Sequence, residues 1–209
     1  IVLSPRAWIS HTRDLIRKYI PRSSNVVVVQ GGSTRNETIM NGIRYIEENF
    51  GLDDNTIIVT HDSVRPFVSH RMIEENIHAA QECGACDTVI PATDTKEMSG
   101  AEIAKWEKLP KGQQMMDAFK QGPAPEKTIT QEMRQEEFDR YQTPQSFRAK
   151  KLRDIYESLT AAEKQILTDA CKILVLKGEK VQLVEGDVTN IKITYPSDIR
   201  LAEALIEGK

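Results

Sequence analysis

The chain has 209 residues, enough for one α/β domain with a sizeable core. With 39% hydrophobic residues it reads as globular, and its net charge of −3 gives no general reason to expect nucleic-acid binding, while leaving room for a local basic pocket that takes a phosphorylated small molecule. Apolar runs such as Val26–Val29 are far too short to span a membrane. The opening Ile-Val-Leu-Ser-Pro does not read as a signal peptide, and three cysteines fit a reducing cytoplasm.

In chain order, the β-branched run Val26–Val29 reads as a strand buried on both faces. Ile39, Ile43 and Ile46 then fall on one helical face, and Thr56–Thr60 reads as the next strand. Met72, Ile73, Ile77 and Ala80 mark a helix with Ser69 as its N-cap. Cys83 and Cys86 form a Cys-x-x-Cys pair without a second such pair, and Cys171 is isolated. They read as small buried residues where a helix ends and the strand Asp87–Ile90 begins, rather than as a redox or zinc half-site. This β–α–β–α–β rhythm predicts a parallel sheet with helices on both faces.

Residues 96–140 are polar and interrupted by Pro110, Pro123 and Pro125, and read as an excursion from a single domain spanning 1–209. Helices are expected there over 101–108 and 130–138. Beyond it, helices are expected at 150–158 and 161–174, and short strands at 181–184 and 191–194. Pro196 suits the first turn of a last helix, where its missing N–H is not needed. Ile199, Ala202, Leu205 and Ile206 give that helix an apolar face.

Ligands of such sheets gather at the carboxyl ends of parallel strands. Gly31 and Gly32 follow one strand and let the backbone approach a ligand, with donors on Ser33, Thr34 and Arg35 beside them; an ordinary strand-to-helix turn is the alternative. Asp62 follows another strand and can hold Mg²⁺ on a triphosphate, or simply pair with Arg65, which can itself meet a phosphate bidentately. Lys192 either points at a phosphate or reaches solvent from an edge strand. His11, His70 and His78 lack partners at metal spacing and read as surface or helix residues.

Four motifs combine these positions: Gly-Gly-Ser-Thr-Arg-Asn (31–36), Thr-His-Asp-Ser-Val-Arg-Pro-Phe (60–67), Gln-Thr-Pro-Gln-Ser-Phe (142–147) and Asn-Ile-Lys-Ile-Thr (190–194). In this order they resemble the cytidylyltransferases of alditol and methylerythritol phosphates, over residues 1–95 and 141–209. The resemblance implies a Rossmann-like nucleotidyltransferase sheet with helices on both faces, a projecting dimerisation arm, a divalent cation such as Mg²⁺, and CTP with an alditol phosphate as substrates. By the same resemblance Gly32, Ser33 and Thr38 match positions that contact cytidine. Asp62, Ser63 and Arg65 match a loop near the ribose, the phosphates and the acceptor, with Asp62 the metal ligand. Thr95, Thr143, Thr168 and Lys192 match positions around the acceptor phosphate, and Asp62, Arg65 and Lys192 carry the catalytic roles.

Within the family, Trp8–Thr12, His61–Phe67, Gln142–Phe147 and Thr168–Ile173 resemble the branch acting on ribitol 5-phosphate. That branch implies teichoic acid precursor supply, a homodimer, and a ribulose-5-phosphate reductase as partner. Relatives acting on methylerythritol phosphate more typically carry His-Asp-Ala-Ala-Arg-Pro at the second motif. They also carry a second acid where this chain has Thr168-Asp169-Ala170. There are two departures. The family opens with a strand and a loop of the type Leu-Ala-(Ala/Gly)-Gly-x-Gly-x-Arg, whereas Ile1-Val-Leu resembles its second strand, so that strand and Gly-rich loop are expected to be missing. The arm reads as longer than the family's hairpin, with Arg134 or Arg140 in place of the family arginine that would fall at Gln135. A methylerythritol 4-phosphate enzyme and a non-catalytic homologue are the alternatives.

Overall fold

The computed structural model describes residues 1–21, 25–90, 128–129 and 140–207. Thr95, Arg134, Gln135 and nearly all of the excursion at 96–140, including its two expected helices, lie outside them.

The elements begin with β1 (Val2–Ser4), a 3-10 turn (Arg6–Trp8), α1 (Ile9–Tyr19) and β2 (Val28–Gln30). α2 (Arg35–Phe50), β3 (Ile57–Thr60), α3 (His70–Cys83) and β4 (Ala85–Ile90) follow. Then come β5 (Thr128–Ile129), β6 (Arg140–Arg148), α4 (Ala149–Ser158), α5 (Ala161–Gln165), α6 (Ala170–Val175), β7 (Val181–Glu185) and α7 (Pro196–Glu207).

Local chemistry explains several of these boundaries. Thr34 and Glu37 form a reciprocal capping box that starts α2. The Ser69 hydroxyl accepts from the Met72 amide at 3.3 Å, as its N-cap role predicts. The helix expected over 161–174 is instead two. Thr160 and Glu163 box the start of α5, and Asp169 begins α6 afresh by accepting from the Lys172 amide at 3.1 Å.

β1 and β2 pair in parallel as a two-stranded sheet. The other five strands form a second sheet in the order β3-β6-β4-β7-β5. This sheet is mixed rather than parallel: β4 and β7 are parallel, but β6 lies antiparallel between β3 and β4. The strand at 191–194 does not form; that segment is a loop tied to the Asp62 turn by the Ile193 N–H donating to the Val64 carbonyl at 2.8 Å.

Side chains on β4 alternate between two cores. Ala85, with Phe147 of β6, packs against Ile39, Ile43, Leu152, Cys171 and Ile173 from α2, α4 and α6. Cys86 packs against Ala79 and Ala80 of α3. Helices therefore cover both faces of the five-stranded sheet. The Cys83/Cys86 pair does straddle a helix-to-strand junction, but only Cys86 is buried as expected; Cys83, at the end of α3, is exposed, and no disulfide forms among the described residues. Burial pushes the Cys86 thiol well above its ordinary value, which keeps it protonated. On α7 only Ala202 is buried; Ile199 and Ile206 stay exposed among the described residues.

The register of β6 breaks where the third motif crosses the sheet. Asp87 pairs with Gln145 and Thr88 with Gln142, so Thr143 and Pro144 have no ladder partner on β4. Pairing with β3 also stops at Gln145. A proline in a central strand needs such an interruption, because it has no N–H for a ladder.

Candidate active site

The site forms where the turns after β2 and β3 meet the β6 bulge and the loop after β7. Asp62 is its centre, with a side chain 22% exposed. Arg35 Nε lies 3.5 Å from Asp62 Oδ1, while Arg65 Nε and Lys192 Nζ lie 3.8 and 3.5 Å from Oδ2. Three cations from three distant segments thus face one carboxylate. Taken as formal charges, the cluster has two positive charges in excess, which favours a multiply charged anion.

The three cations are not equivalent. Arg65 is the most buried, and its Nη1 and Nη2 donate to the carbonyls of Asn190 (2.8 Å) and Tyr141 (3.4 Å). Burial pulls its guanidinium below the ordinary arginine range and neighbouring Arg35 adds to this, while Asp62 opposes it. Its fork is committed to backbone, so it holds the loops together. Arg35 and Lys192 are 33% and 50% exposed, the more accessible two of the three.

The β6 bulge positions the Asp62 turn. The Thr143 hydroxyl accepts from the Asp62 amide at 3.1 Å and meets His61 Nδ1 at 3.0 Å. His61 Nε2 meets the Arg65 carbonyl at 2.8 Å. That carbonyl can only accept, so Nε2 carries a proton, and in the neutral ring Nδ1 receives the Thr143 hydroxyl hydrogen. His61, which the sequence marks only as part of a motif, therefore closes the turn.

Buried amides hold the loop bearing Lys192. Asn190, fully buried, donates from Nδ2 to Gln142 Oε1 (3.1 Å) and to the Thr143 carbonyl (2.8 Å). Gln142 in turn donates to the Asp187 carbonyl at 2.8 Å. A Cβ on Gly186 would lie 2.6 Å from Gln142 Oε1, so any side chain there would displace Gln142 from its hydrogen bonds. The Asp187 carboxyl is held below its usual range by the Thr189 amide first and the Thr189 hydroxyl second.

The Gly-Gly turn is packed against itself. The Gly32 amide donates to Thr38 Oγ1 at 2.9 Å, and the Ser33 and Thr34 amides donate to Glu37 Oε2 at 2.8 and 3.3 Å. A Cβ on Gly32 would stand 2.3 Å from Glu37 Cβ, so glycine is required by close approach. The Ser33 and Thr34 amides at this helix start are thus already taken by the Glu37 carboxylate. The turn borders an open cavity of about 620 Å³ lined by Arg6, Gln30, Asn41, Arg44 and Tyr156 among others. Ser63 and Thr168 are exposed, and the Thr168 hydroxyl bonds its neighbour Asp169 at 3.2 Å. Asp62, Ser63, Arg65, Thr143 and Lys192 belong to one neighbourhood, and Gly32, Ser33 and Thr38 to the adjoining turn joined to it through Arg35.

A divalent cation at Asp62 would find one largely buried carboxylate beside cations suited to phosphate. Mg²⁺ is commonly held by one or two carboxylates together with substrate phosphate oxygens, so the donor set fits. Among the described residues one further group has metal-ligating atoms within 4.8 Å of one another, namely Asp87, Asp169 and Cys171. All three have partners within the protein. Its thiol suits a softer ion than Mg²⁺.

An α/β sheet with helices on both faces and a cationic cluster at its strand ends suits the binding of a multiply charged anion there. A profile of the family IspD, 2-C-methyl-D-erythritol 4-phosphate cytidylyltransferase, matches residues 1–107 and 111–208, and the chain belongs to that family. Among solved structures, 2-C-methyl-D-erythritol 4-phosphate cytidylyltransferase from Thermus thermophilus is 28% identical with a TM-score of 0.60, covering 88% of this chain and 75% of that one. The fold is also that of 4-diphosphocytidyl-2C-methyl-D-erythritol synthase from Anaerococcus prevotii, at 23% identity, a TM-score of 0.62, and coverage of 98% of this chain and 77% of that one. The Francisella tularensis 2-C-methyl-D-erythritol 4-phosphate cytidylyltransferase shares it at 19% identity and a TM-score of 0.58, with 88% and 73% covered.

Proposed function

We propose that the protein transfers a cytidylyl group from CTP to D-ribitol 5-phosphate, giving CDP-ribitol and pyrophosphate. The observation that carries this reading is the convergence of Arg35, Arg65 and Lys192 on Asp62 at the strand ends. A phosphate oxygen of the acceptor attacks the α-phosphorus of CTP. A new P–O bond forms as the α–β bridging bond breaks and pyrophosphate leaves. The attacking oxygen is already anionic, so positioning and charge neutralisation matter more than a general base.

Each residue's part follows from its place. Lys192 takes the acceptor phosphate, and Thr143 holds the Asp62 turn while its hydroxyl stays close to the acceptor. Arg65 fixes the two loops around the reacting groups. Arg35 meets the nucleotide phosphates. Gly32, Ser33 and Thr38 take the cytidine, Ser63 the ribose, and Thr95 and Thr168 the acceptor. Asp62 holds Mg²⁺, which when bound neutralises the phosphate oxygens. A cytoplasmic homodimer working with a ribulose-5-phosphate reductase, and supplying teichoic acid synthesis, belongs to the same proposal.

Two features favour ribitol 5-phosphate as acceptor. Ser63 and Val64 stand where the methylerythritol relatives more typically have two alanines. Ala170, fully buried, occupies the position of their second acid. The second reading is methylerythritol 4-phosphate, favoured by the family match and by the 28% identity to the Thermus enzyme.

Pyrophosphate release from CTP and Mg²⁺, with the two alditol phosphates as parallel acceptors, tests both readings. We expect release with ribitol 5-phosphate at least about tenfold faster than with methylerythritol 4-phosphate, about 1.4 kcal/mol of discrimination. The reverse order would transfer the protein to the second reading. A folded protein that releases pyrophosphate with neither would overturn cytidylyl transfer.

A further inference from the structure

Asp87 lies at the centre of the five-stranded sheet, between β6 and β7, and is fully buried. Its Oδ1 accepts from Gln145 Nε2 at 2.9 Å. Gln145, 2% exposed, accepts at its other end, Oε1, from Arg35 Nη1 at 3.0 Å. Arg35 Nε then faces Asp62 Oδ1. An unbroken line runs from a core carboxylate to the reactive surface. We propose that Asp87 and Gln145 are positioning residues that set the Arg35 guanidinium for the nucleotide phosphates.

The polarity of an amide makes this line directional. Its NH₂ end only donates and its carbonyl only accepts. An ionised carboxylate only accepts and a guanidinium only donates. Between Asp87 and Arg35 the Gln145 amide therefore has one satisfactory orientation. The flipped one would set carbonyl against carboxylate and NH₂ against guanidinium. With Asp87 ionised, Asp87 from inside the core and Arg35 from the surface together set the orientation in which an acceptor faces Arg35. A long arginine side chain loses much of its rotamer freedom when fixed. Anchoring one nitrogen before the nucleotide arrives moves that cost from binding into folding, while leaving the rest of the fork at the open side.

The kinetic readout of this role rests on the proposed cytidylyl transfer, so a second readout independent of turnover is paired with it. That readout is the Arg35 Nε–Hε resonance, assigned by its loss in Arg35→Lys. Asp87→Asn replaces an acceptor-only group by an amide that can present either a donor or an acceptor to Gln145, so position 87 no longer enforces one orientation. We expect kcat/KM for CTP to fall about tenfold, the loss of one well-placed contact worth about 1.4 kcal/mol, and the Arg35 resonance to broaden into exchange with water. The double variant Asp87→Asn/Gln145→Glu restores the alternation. Its new amide at position 87 can donate to the new carboxylate at position 145, and that carboxylate can accept from Arg35. Both readouts should return to within about threefold of the parent, on the same scale.

Should Asp87→Asn fail to fold, Asp87→Leu/Gln145→Met replaces both buried polar groups by apolar ones, which is often neutral for stability. It should fold, lose the Arg35 resonance, and keep the kinetic defect. An apolar pair with parental kcat/KM and an unchanged Arg35 signal would overturn the proposal. So would Asp87→Asn with both within twofold of the parent, or a double variant that recovers melting temperature without the resonance. If no turnover is seen in any form, cytidylyl transfer fails while the resonance still decides whether the line to Arg35 holds.

Discussion

Asn190→Ala isolates the buried amide that joins the Lys192 loop to the β6 bulge. Asn190 Oδ1 has no hydrogen-bond partner among the described residues, so its removal sacrifices nothing there. The Nδ2 group carries the cost, through its bonds to Gln142 Oε1 and the Thr143 carbonyl. Gln142 Oε1 keeps a second donor in the Asp187 amide at 3.3 Å. Thr143 lies outside both strand ladders, so its carbonyl depends on Asn190. Two lost bonds at about 1 kcal/mol each, with a desolvated carbonyl adding about 1–2, give about 3–4 kcal/mol. For a chain of this size that is a fall in Tm of about 6–16 °C.

Thermal unfolding followed by circular dichroism measures it. Asn190→Asp supplies the control, since it keeps the volume but turns a donor into an acceptor facing two acceptors. It should be less stable than Asn190→Ala at neutral pH and recover part of the difference as the new carboxyl protonates in acid. A fall below about 2 °C for Asn190→Ala would refute the assignment of this amide as the tie between the two loops.

Two other outcomes are expected. Gly32→Ala should lower the melting temperature and weaken CTP binding by at least about tenfold, because its Cβ would meet Glu37 Cβ at 2.3 Å and break the turn; calorimetric titration with CTP checks this, and parental affinity would contradict it. Glu163 is held down to about 2 by Lys177 first and by the Thr160 amide and hydroxyl next. Because its folded value is depressed, the stabilisation from this carboxylate is complete above its unfolded value near 4.5 and is lost as pH falls through about 2. Removing the ammonium with Lys177→Met should move the Glu163 midpoint upward in an NMR titration, and an unmoved midpoint would show that Thr160 alone sets it.

Much of the scaffold is legible in the sequence because it rests on local patterns. The β-branched runs before Gly31 and His61, the Ser69 cap and the alternation of strands with helices all follow from residues a few positions apart. β6 is not legible as a strand, because Gln142, Thr143, Gln145 and Ser146 are polar and Pro144 interrupts them. All four are buried in a central strand, where the side chains of Gln142, Thr143 and Gln145 serve hydrogen bonding rather than apolar packing. The break between α5 and α6 escapes a reading by periodicity because Asp169 sits inside the apolar pattern yet acts as a cap. The β-branched residues of 191–194 suggest a strand, although tertiary contacts hold the segment open as a loop.

The same distinction applies to the site. Asp62 and Lys192 stand out because a charge beside an apolar run calls for a reason. Arg35 shows in the sequence only as a donor at a helix start. Its contact with Gln145 spans 110 positions, and that of Arg65 with Asn190 spans 125. No local pattern encodes such pairs. Asp87 gives the least signal, as one polar residue in a strand whose other members are mostly apolar.

The interrupted register of β6 has a consequence for how this protein can vary over generations. Thr143 and Pro144 escape both ladders, so their side chains can be exchanged without disturbing the pairing on either side. Their number cannot. Side chains alternate faces, so deleting or inserting one residue between Gln142 and Phe147 would place Phe147 where Ser146 points and empty its place in the core. Substitution at the bulge therefore leaves the pairing intact, whereas a change in its length would cost the core contact of Phe147.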